Sequence, residues 1–192
     1  MTDLELIEGI LKRDRTACQS LVVGFQREVI KTAFHFLGNM EDAEDLSQEI
    51  FLEIIRSMPS FRNTSSLKTW IYRITVNRSL NELKKNKRRG FLIRLESMLG
   101  ISGNQLETKL TTNSTSDCQE DKENRKLLHD AINKLPENQR IAFVLHKFDD
   151  LPYKQVAEIM NLSLSAVESL IFRAKSNLQS LLTPHFPEYK KN

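Results

Sequence analysis

Helical hydrophobic periodicity stops between residues 100 and 120 of this chain and resumes beyond them. The intervening stretch, GISGNQLETKLTTNSTSDCQE, is mostly polar and includes the run TTNSTSD. Such a segment cannot bury enough apolar surface to offset the entropy of ordering it. A chain of 192 residues with this interruption is therefore expected to fold as two packed units and a flexible linker. On both sides aliphatic residues recur at helical spacing, and Gly and Pro number only 6 and 5, so the expected class is all-α. The implied organisation is a helical domain over 1–95, a flexible linker over 96–122, a second helical domain over 123–183 and a tail over 184–192.

In the first unit, Leu4, Ile7, Ile10 and Leu11 mark one helix, and Leu21 to Leu37 predict a second. Gly38-Asn39 is a suitable stop, because both residues tolerate positive φ. A third helix is expected from near Glu41 to Met58, ended by Pro59. After the loop Ser60 to Ser66, a fourth runs from Leu67 to about Lys87. In the second unit the expected helices are Lys126–Leu135, Asn138–Phe148, Tyr153–Met160 and Leu164–Leu182. Pro136 and Pro152 sit at or beside helix starts, where a missing N–H costs little.

Several function classes are disfavoured. No run approaches the roughly 18 apolar residues needed to span a bilayer, so no membrane insertion is expected. The N-terminal MTDLELIEGILKRD lacks the basic-apolar-small order of a secretory signal. Cys18 and Cys118 stand outside any CxxC, which points to two free thiols in the cytoplasm and to no metal. His35, His129, His146 and His185 are scattered, and no Gly-rich phosphate loop, HExxH or GxSxG is present. The expectation is a chain without enzymatic activity, cofactor or small-molecule substrate.

The net charge of +3 hides an uneven distribution. Residues 1–60 carry 6 basic and 11 acidic side chains, a balance of −5. Residues 68–94 carry 9 basic side chains against Glu82 alone, a balance of +8. An acidic block followed by a basic block suggests two different partners for one domain.

Residues 153–175 have the spacing of a helix-turn-helix. Ala157 is small where the helices approach. Asn161 suits a left-handed turn position, and Ser163 can cap the second helix. Val156, Ile159, Leu162, Val167 and Ile171 form the expected buried side. Ser165, Glu168, Ser169, Phe172, Arg173 and Ser176 fall opposite. Small polar groups serve base edges and cations serve phosphates. Phe172 can meet a thymine methyl, and Glu168 can accept from a cytosine amino group. The competing reading is a helical hairpin with a solvated face.

The fourth helix places Trp70, Arg73 and Asn77 on one face, with Leu67, Ile71 and Ile74 turned inward. An aromatic plate, a cation and an amide beside a basic run suit an unpaired strand, since bases stack on aromatics and phosphates attract cations. Lys68, Lys84, Lys85 and Arg88 are the candidate phosphate contacts. The preceding Asn63, Thr64, Ser65 and Ser66 could hold an extruded base. Against this stand a core tryptophan and a solvated helix end. On the third helix, Asp42, Asp45 and Glu49 share a side with Gln48 beside them. The six acids from Glu41 to Glu53 meet no base within that span. The helix dipole accounts for the first of them but poorly for Glu49 and Glu53, so a basic protein partner is the other explanation.

DAEDLSQEIFLEIIRSMPSF, then TSSLKTWIYRITVNRSLNELKKNKRR, then LPENQRIAFVLHKFDDLPYKQVAEIMNLSLSAVESLIFRAK together resemble a bacterial RNA polymerase sigma factor. The likeness is to the extracytoplasmic-function group of the sigma-70 family and covers both units. It implies a sigma-2 domain, a linker and a sigma-4 domain, binding to core RNA polymerase and to promoter DNA, and an anti-sigma protein partner. By position, Asp42, Asp45, Gln48 and Glu49 match the surface for the polymerase clamp helices. Asn63 to Ser66, Trp70, Arg73 and Asn77 match the elements that open and read the −10 region. Ser165, Glu168, Ser169, Phe172, Arg173 and Lys175 match the −35 reading helix. Many relatives have Lys or Arg where Glu168 stands and Arg at Leu170, which lowers the cationic density of this reading helix. The rival readings are a stand-alone helix-turn-helix regulator and a helical scaffold that touches no nucleic acid; an enzyme acting on nucleic acid is more remote. How the two units sit together, including a closed form that shields the basic helix, is left open.

Overall fold

The computed structural model describes residues 2–98 and 119–185. Helix α1 (Asp3–Leu11) begins with a capping box: the Glu5 N–H donates to the Thr2 hydroxyl, and the Thr2 N–H donates to the Glu5 carboxylate at 2.8 Å. Helix α2 (Arg15–Leu37) is capped by Asp14 and stops at Gly38, whose φ is +76°. Only glycine fits there: a Cβ would lie 2.5 Å from the His129 ring. Helix α3 (Met40–Ser57) is capped by Asn39, and a 3-10 turn, Met58–Ser60, ends it at Pro59. Helix α4 (Leu67–Met98) is the longest at 32 residues. Helices α5 (Gln119–Lys134), α6 (Glu137–Lys147), α7 (Tyr153–Met160) and α8 (Leu164–Leu182) complete the described fold. Among the described residues there is no strand, and no helix is long and apolar enough to cross a membrane.

The N-terminal core packs Leu21, Ile50, Ile54, Met58, Leu67 and Ile71, all nearly inaccessible. Fully burying an aliphatic side chain contributes about 1.5–3 kcal/mol, so these residues dominate the stability of that unit. A second cluster joins Val144, Leu145, Val156, Val167 and Ile171 of the C-terminal unit. It also takes in Phe36, Tyr72, Val76 and Leu80 from α2 and α4. The two units thus share one apolar seam. The reason is a second stripe on α4: Tyr72, Val76 and Leu80 follow at i, i+4 and i+8, beside the Leu67–Ile71 stripe that faces the N-terminal core.

Several expectations are corrected. Helix α2 starts at Arg15 rather than Leu21, because Asp14 supplies a cap and Ala17 is buried. In α1 the buried positions are Leu6, Ile7 and Ile10, while Leu4 and Leu11 are exposed. Helix α4 continues past Lys87 through Gly90; an internal glycine costs only about 1 kcal/mol against alanine. Helix α5 begins at Gln119, inside the expected linker. Leu162 is exposed rather than buried. The remainder of the expected linker, residues 99–118, and residues 186–192 of the tail lie outside the described residues.

Candidate nucleic-acid interface

The helix-turn-helix forms as the sequence predicts. Asn161 closes α7 in the left-handed conformation, φ 53° and ψ 47°. The Leu162 N–H donates to the Ala157 carbonyl at 3.0 Å. Ser163 caps α8 by accepting from the Ala166 N–H at 3.2 Å. Val167, Ile171, Ala174 and Leu178 anchor α8 below. Ser165, Glu168, Ser169, Phe172, Arg173 and Lys175 all face solvent, with Phe172 74% exposed. Glu168 forms no ion pair among the described residues.

The loop before α4 is set by Asn63, at φ 54°, and by Ser66. The Ser66 hydroxyl donates to Thr69 Oγ1 at 2.9 Å and accepts the Thr69 N–H at 3.1 Å, satisfying the first turn of α4. Asn63, Thr64 and Ser66 are exposed and Ser65 is half-buried. Trp70 is half-buried, its ring 4.8 Å from that of Phe61 and tilted by 36°. It is neither sealed in the core nor a free plate, because Phe61 covers one part of the ring.

Arg73 and Asn77 share the face of Trp70 as expected, but that face meets α7. Arg73 Nη2 donates to the Glu158 carbonyl at 2.6 Å, and its Nε donates to the Ile159 carbonyl at 3.2 Å. Asn77 lines the same cleft with Ile141, Met160 and Asn161. The basic run is largely engaged. Lys84 pairs with Glu137 at 2.8 Å, Lys85 with Glu82 at 3.1 Å, and Lys87 donates to the Asn133 carbonyl at 3.3 Å. Lys68 stands 6.0 Å from the Tyr72 ring centre, and Arg88 is exposed.

Asp42, Asp45, Gln48 and Glu49 form an exposed face of α3, as predicted. The reading that the α3 acids lack a compensating base holds only within the span from Glu41 to Glu53. Arg78 of α4 pairs with Glu53 and lies 3.9 Å from Glu49. Asp42 and Asp45 remain outside any ion pair among the described residues.

Sequence reasoning missed the polar seam between the units. Thr32 Oγ1 donates to Asp149 Oδ2 at 2.7 Å. Lys31 lies 4.0 Å from Asp149 and 3.6 Å from Asp150. His35 stacks on Phe148 with centroids 4.5 Å apart, and His129 Nε2 lies 3.3 Å from the Phe36 carbonyl. Burial drives the His35 pKa down to about 4, aided by Lys31 and His129, and burial also lowers that of His129. Burial raises Asp149 to about 6 against the opposing Thr32 hydrogen bond and Lys31. A single threonine and an aspartate 117 residues apart carry no local sequence signal.

Residues 21–89 match the family described as Sigma-70 region 2, and residues 125–178 that described as Sigma-70, region 4. The chain is 32% identical over 187 residues to the ECF RNA polymerase sigma-E factor of Escherichia coli K12, covering 96% of each chain. It is 28% identical over 184 residues to the RNA polymerase sigma-H factor of Pseudomonas aeruginosa, covering 95% of this chain and 94% of that one. Among solved structures it resembles CnrH in complex with the cytosolic domain of CnrY, with a TM-score of 0.66 at 18% identity over 95% of this chain and 97% of that one. It also resembles the sigma factor RpoE of Bartonella quintana, solved with the anti-sigma factor NepR, with a TM-score of 0.55 at 22% identity over 86% and 96%.

Proposed function

The chain belongs to the extracytoplasmic-function sigma factors of RNA polymerase, a family of transcription initiation factors that direct polymerase to promoters, and from that premise we propose how its surfaces divide the task. The acidic face of α3, led by Asp42 and Asp45, docks on the clamp helices of core polymerase. The exposed face of α8 reads duplex DNA at the −35 element through Ser165, Ser169, Phe172 and Arg173. Lys175 contacts phosphate, and Glu168 accepts from a cytosine. The loop Asn63–Ser66, with Trp70, Arg73 and Asn77, takes bases of the opened −10 strand. Lys68, Lys84, Lys85 and Arg88 hold the strand's phosphates. Separating base pairs costs on the order of 1.4 kcal/mol per step in lost stacking, which stacking on Trp70 and pocket contacts must offset.

One observation carries this division: the acidic face of α3 and the hydroxyl, aromatic and cationic face of α8 are both exposed, with opposite chemistry, on different units. Each has a partner type it suits and one it repels. The role is one of binding throughout, with no bond made or broken by this chain, and it is exercised in the cytoplasm beside polymerase and DNA. An anti-sigma protein is the proposed second protein partner, in keeping with the NepR complex of the Bartonella relative. Transcription in vitro with core polymerase on genomic fragments tests the reading. Start sites that appear only with the protein support it, and start sites indifferent to the protein refute it.

A further inference from the structure

Beyond Leu83, its last buried residue, α4 runs on as a rod whose side chains mostly meet solvent. From Leu83 to Leu95 it extends about 18 Å at about 1.5 Å per residue. Residues 84–95 carry six basic side chains and no acid. Phe91, Leu92 and Leu95 are 66, 54 and 41% exposed, the densest group of exposed large apolar side chains among the described residues. Their i, i+1 and i+4 spacing puts them on one helix face, and Arg88, one turn earlier, falls in the middle of it. Lys84 and Lys85 have acidic partners, whereas Arg88 and Arg89 form no ion pair among the described residues. An apolar trio around a cation suits one kind of partner. A nucleic-acid strand would take Arg88 through a phosphate, but Leu92 and Leu95 have no ring on which a base can stack. A lipid surface would cover the leucines but press Arg88, at the centre of the face, toward acyl chains. A second copy would set one basic rod against another. An amphipathic protein helix satisfies every group, with leucines against the trio and a carboxylate gripped by both prongs of the guanidinium.

We propose that the outer face of α4, made of Arg88, Phe91, Leu92 and Leu95, docks an acidic amphipathic helix of a partner protein other than core polymerase. Arg88 is assigned above to the phosphates of the opened strand, and a carboxylate seated on it excludes them. A partner bound here therefore works against initiation, which rules out polymerase as the source of the helix. Arg89 and Lys85 flank the face and draw acids toward it before contact forms. The apolar trio belongs to the partner alone, while Arg88 is shared with DNA, so the two ligands can be separated by substitution. The competition rests on the strand assignment of Arg88; the docking face does not.

The probe is a fluorescein-labelled synthetic helix of about three heptads, with leucines along one face and glutamates elsewhere. One control helix has lysines for the glutamates and another has serines for the leucines. Fluorescence anisotropy with the full-length chain should rank the glutamate–leucine helix tightest, by at least about tenfold over either control. Leu92→Ala with Leu95→Ala changes only exposed side chains and keeps good helix formers. That pair should weaken probe binding at least about tenfold, and Arg88→Gln about fivefold or more. Val23→Ala, at an exposed apolar position on α2, should leave it unchanged. Binding that is equal for all three helices, or indifferent to the leucine pair, overturns the proposal. So does a chain that ignores the probe yet sediments with phosphatidylcholine–phosphatidylglycerol vesicles through Leu92 and Leu95, since the face is then a lipid contact. Unlabelled single-stranded DNA should displace the probe from the parent chain. A probe that depends on the leucine pair but resists displacement overturns the strand role of Arg88 and the competition, and leaves the docking face standing.

Discussion

Thr32 on α2 donates a 2.7 Å hydrogen bond to Asp149 of the opposite unit, while Asp149 Oδ1 is buried without a hydrogen-bond partner. Burial raises Asp149 from 3.8 to about 6, and it lowers His35, across the same seam, from 6.5 to about 4. The two act with opposite sign. The folded form holds the Asp149 proton more tightly, so that contribution weakens as pH rises from 3.8 to about 6. The folded form resists protonation of His35, so stability present above 6.5 is lost as pH falls toward 4. His129, also lowered by burial, adds to the histidine side. Between about pH 4 and 6 the slopes largely cancel. Asp149→Asn removes the opposing slope. Urea unfolding of that variant should lose up to about 1.4 kcal/mol more per pH unit on acidification than the parent chain does. Parallel pH profiles for the two proteins would disprove the linkage.

Trp70→Ala should separate assembly from opening. Polymerase binding is spared, because Asp42 and Asp45 lie on a different helix. Open-complex formation falls by about five- to 150-fold, as expected for about 1–3 kcal/mol of lost base stacking. The half-buried ring also packs on Phe61, so the alanine variant should melt earlier, whereas Trp70→Phe should restore most of the melting temperature and part of the opening. Permanganate footprinting of the start region is the readout. An alanine variant that melts earlier yet opens promoters normally would reduce Trp70 to a packing residue.

Local chemistry made the helix-turn-helix legible: Asn161, Ser163 and the period of Val156, Ile159, Val167 and Ile171 each act within one or two turns. The bounds of α7 and α8 follow the sequence reading residue for residue. The second stripe of α4 was harder to see, because Tyr72, Val76 and Leu80 lie next to Leu67 and Ile71 and the helix reads as apolar on two sides. Which stripe meets which unit depends on the whole chain. Arg73 shows the same limit: its spacing put it on one face with Trp70 and Asn77, while its acceptors, the carbonyls of Glu158 and Ile159, are backbone groups 85 and 86 residues away that no side-chain pattern announces.

Asp45→Lys should weaken binding to core polymerase at least about tenfold, which corresponds to about 1.4 kcal/mol, and the loss should shrink as salt rises. DNA binding by the free chain should be unchanged or slightly tighter. Glu49→Lys is the less clean variant, since it also sets a lysine near Arg78, which now lies 3.9 Å from the Glu49 carboxylate. Like charges there would disturb the α3–α4 contact. Fluorescence anisotropy of labelled protein against core enzyme, over a salt series, decides the point. Equal affinities for parent and Asp45→Lys would remove α3 from the docking surface.

Glu168→Lys addresses the one acidic group in the reading face of α8. The carboxylate is exposed, outside any ion pair among the described residues, and on the same face as Arg173. A carboxylate near phosphates is unfavourable unless a cytosine amino group repays it. Reversing its sign should therefore raise affinity for duplex DNA of any sequence. It should also steepen the dependence of log affinity on log salt by about 0.9, the increment for one added phosphate contact. At the same time, preference for one cytosine in the upstream element should fall, by about 1–3 kcal/mol if the contact is a full one. Salt-series binding to matched and single-substituted duplexes measures both quantities in one experiment. A steeper slope with unchanged base preference would mean that Glu168 tunes charge alone. An unchanged slope would mean that α8 does not approach the phosphate backbone at this position.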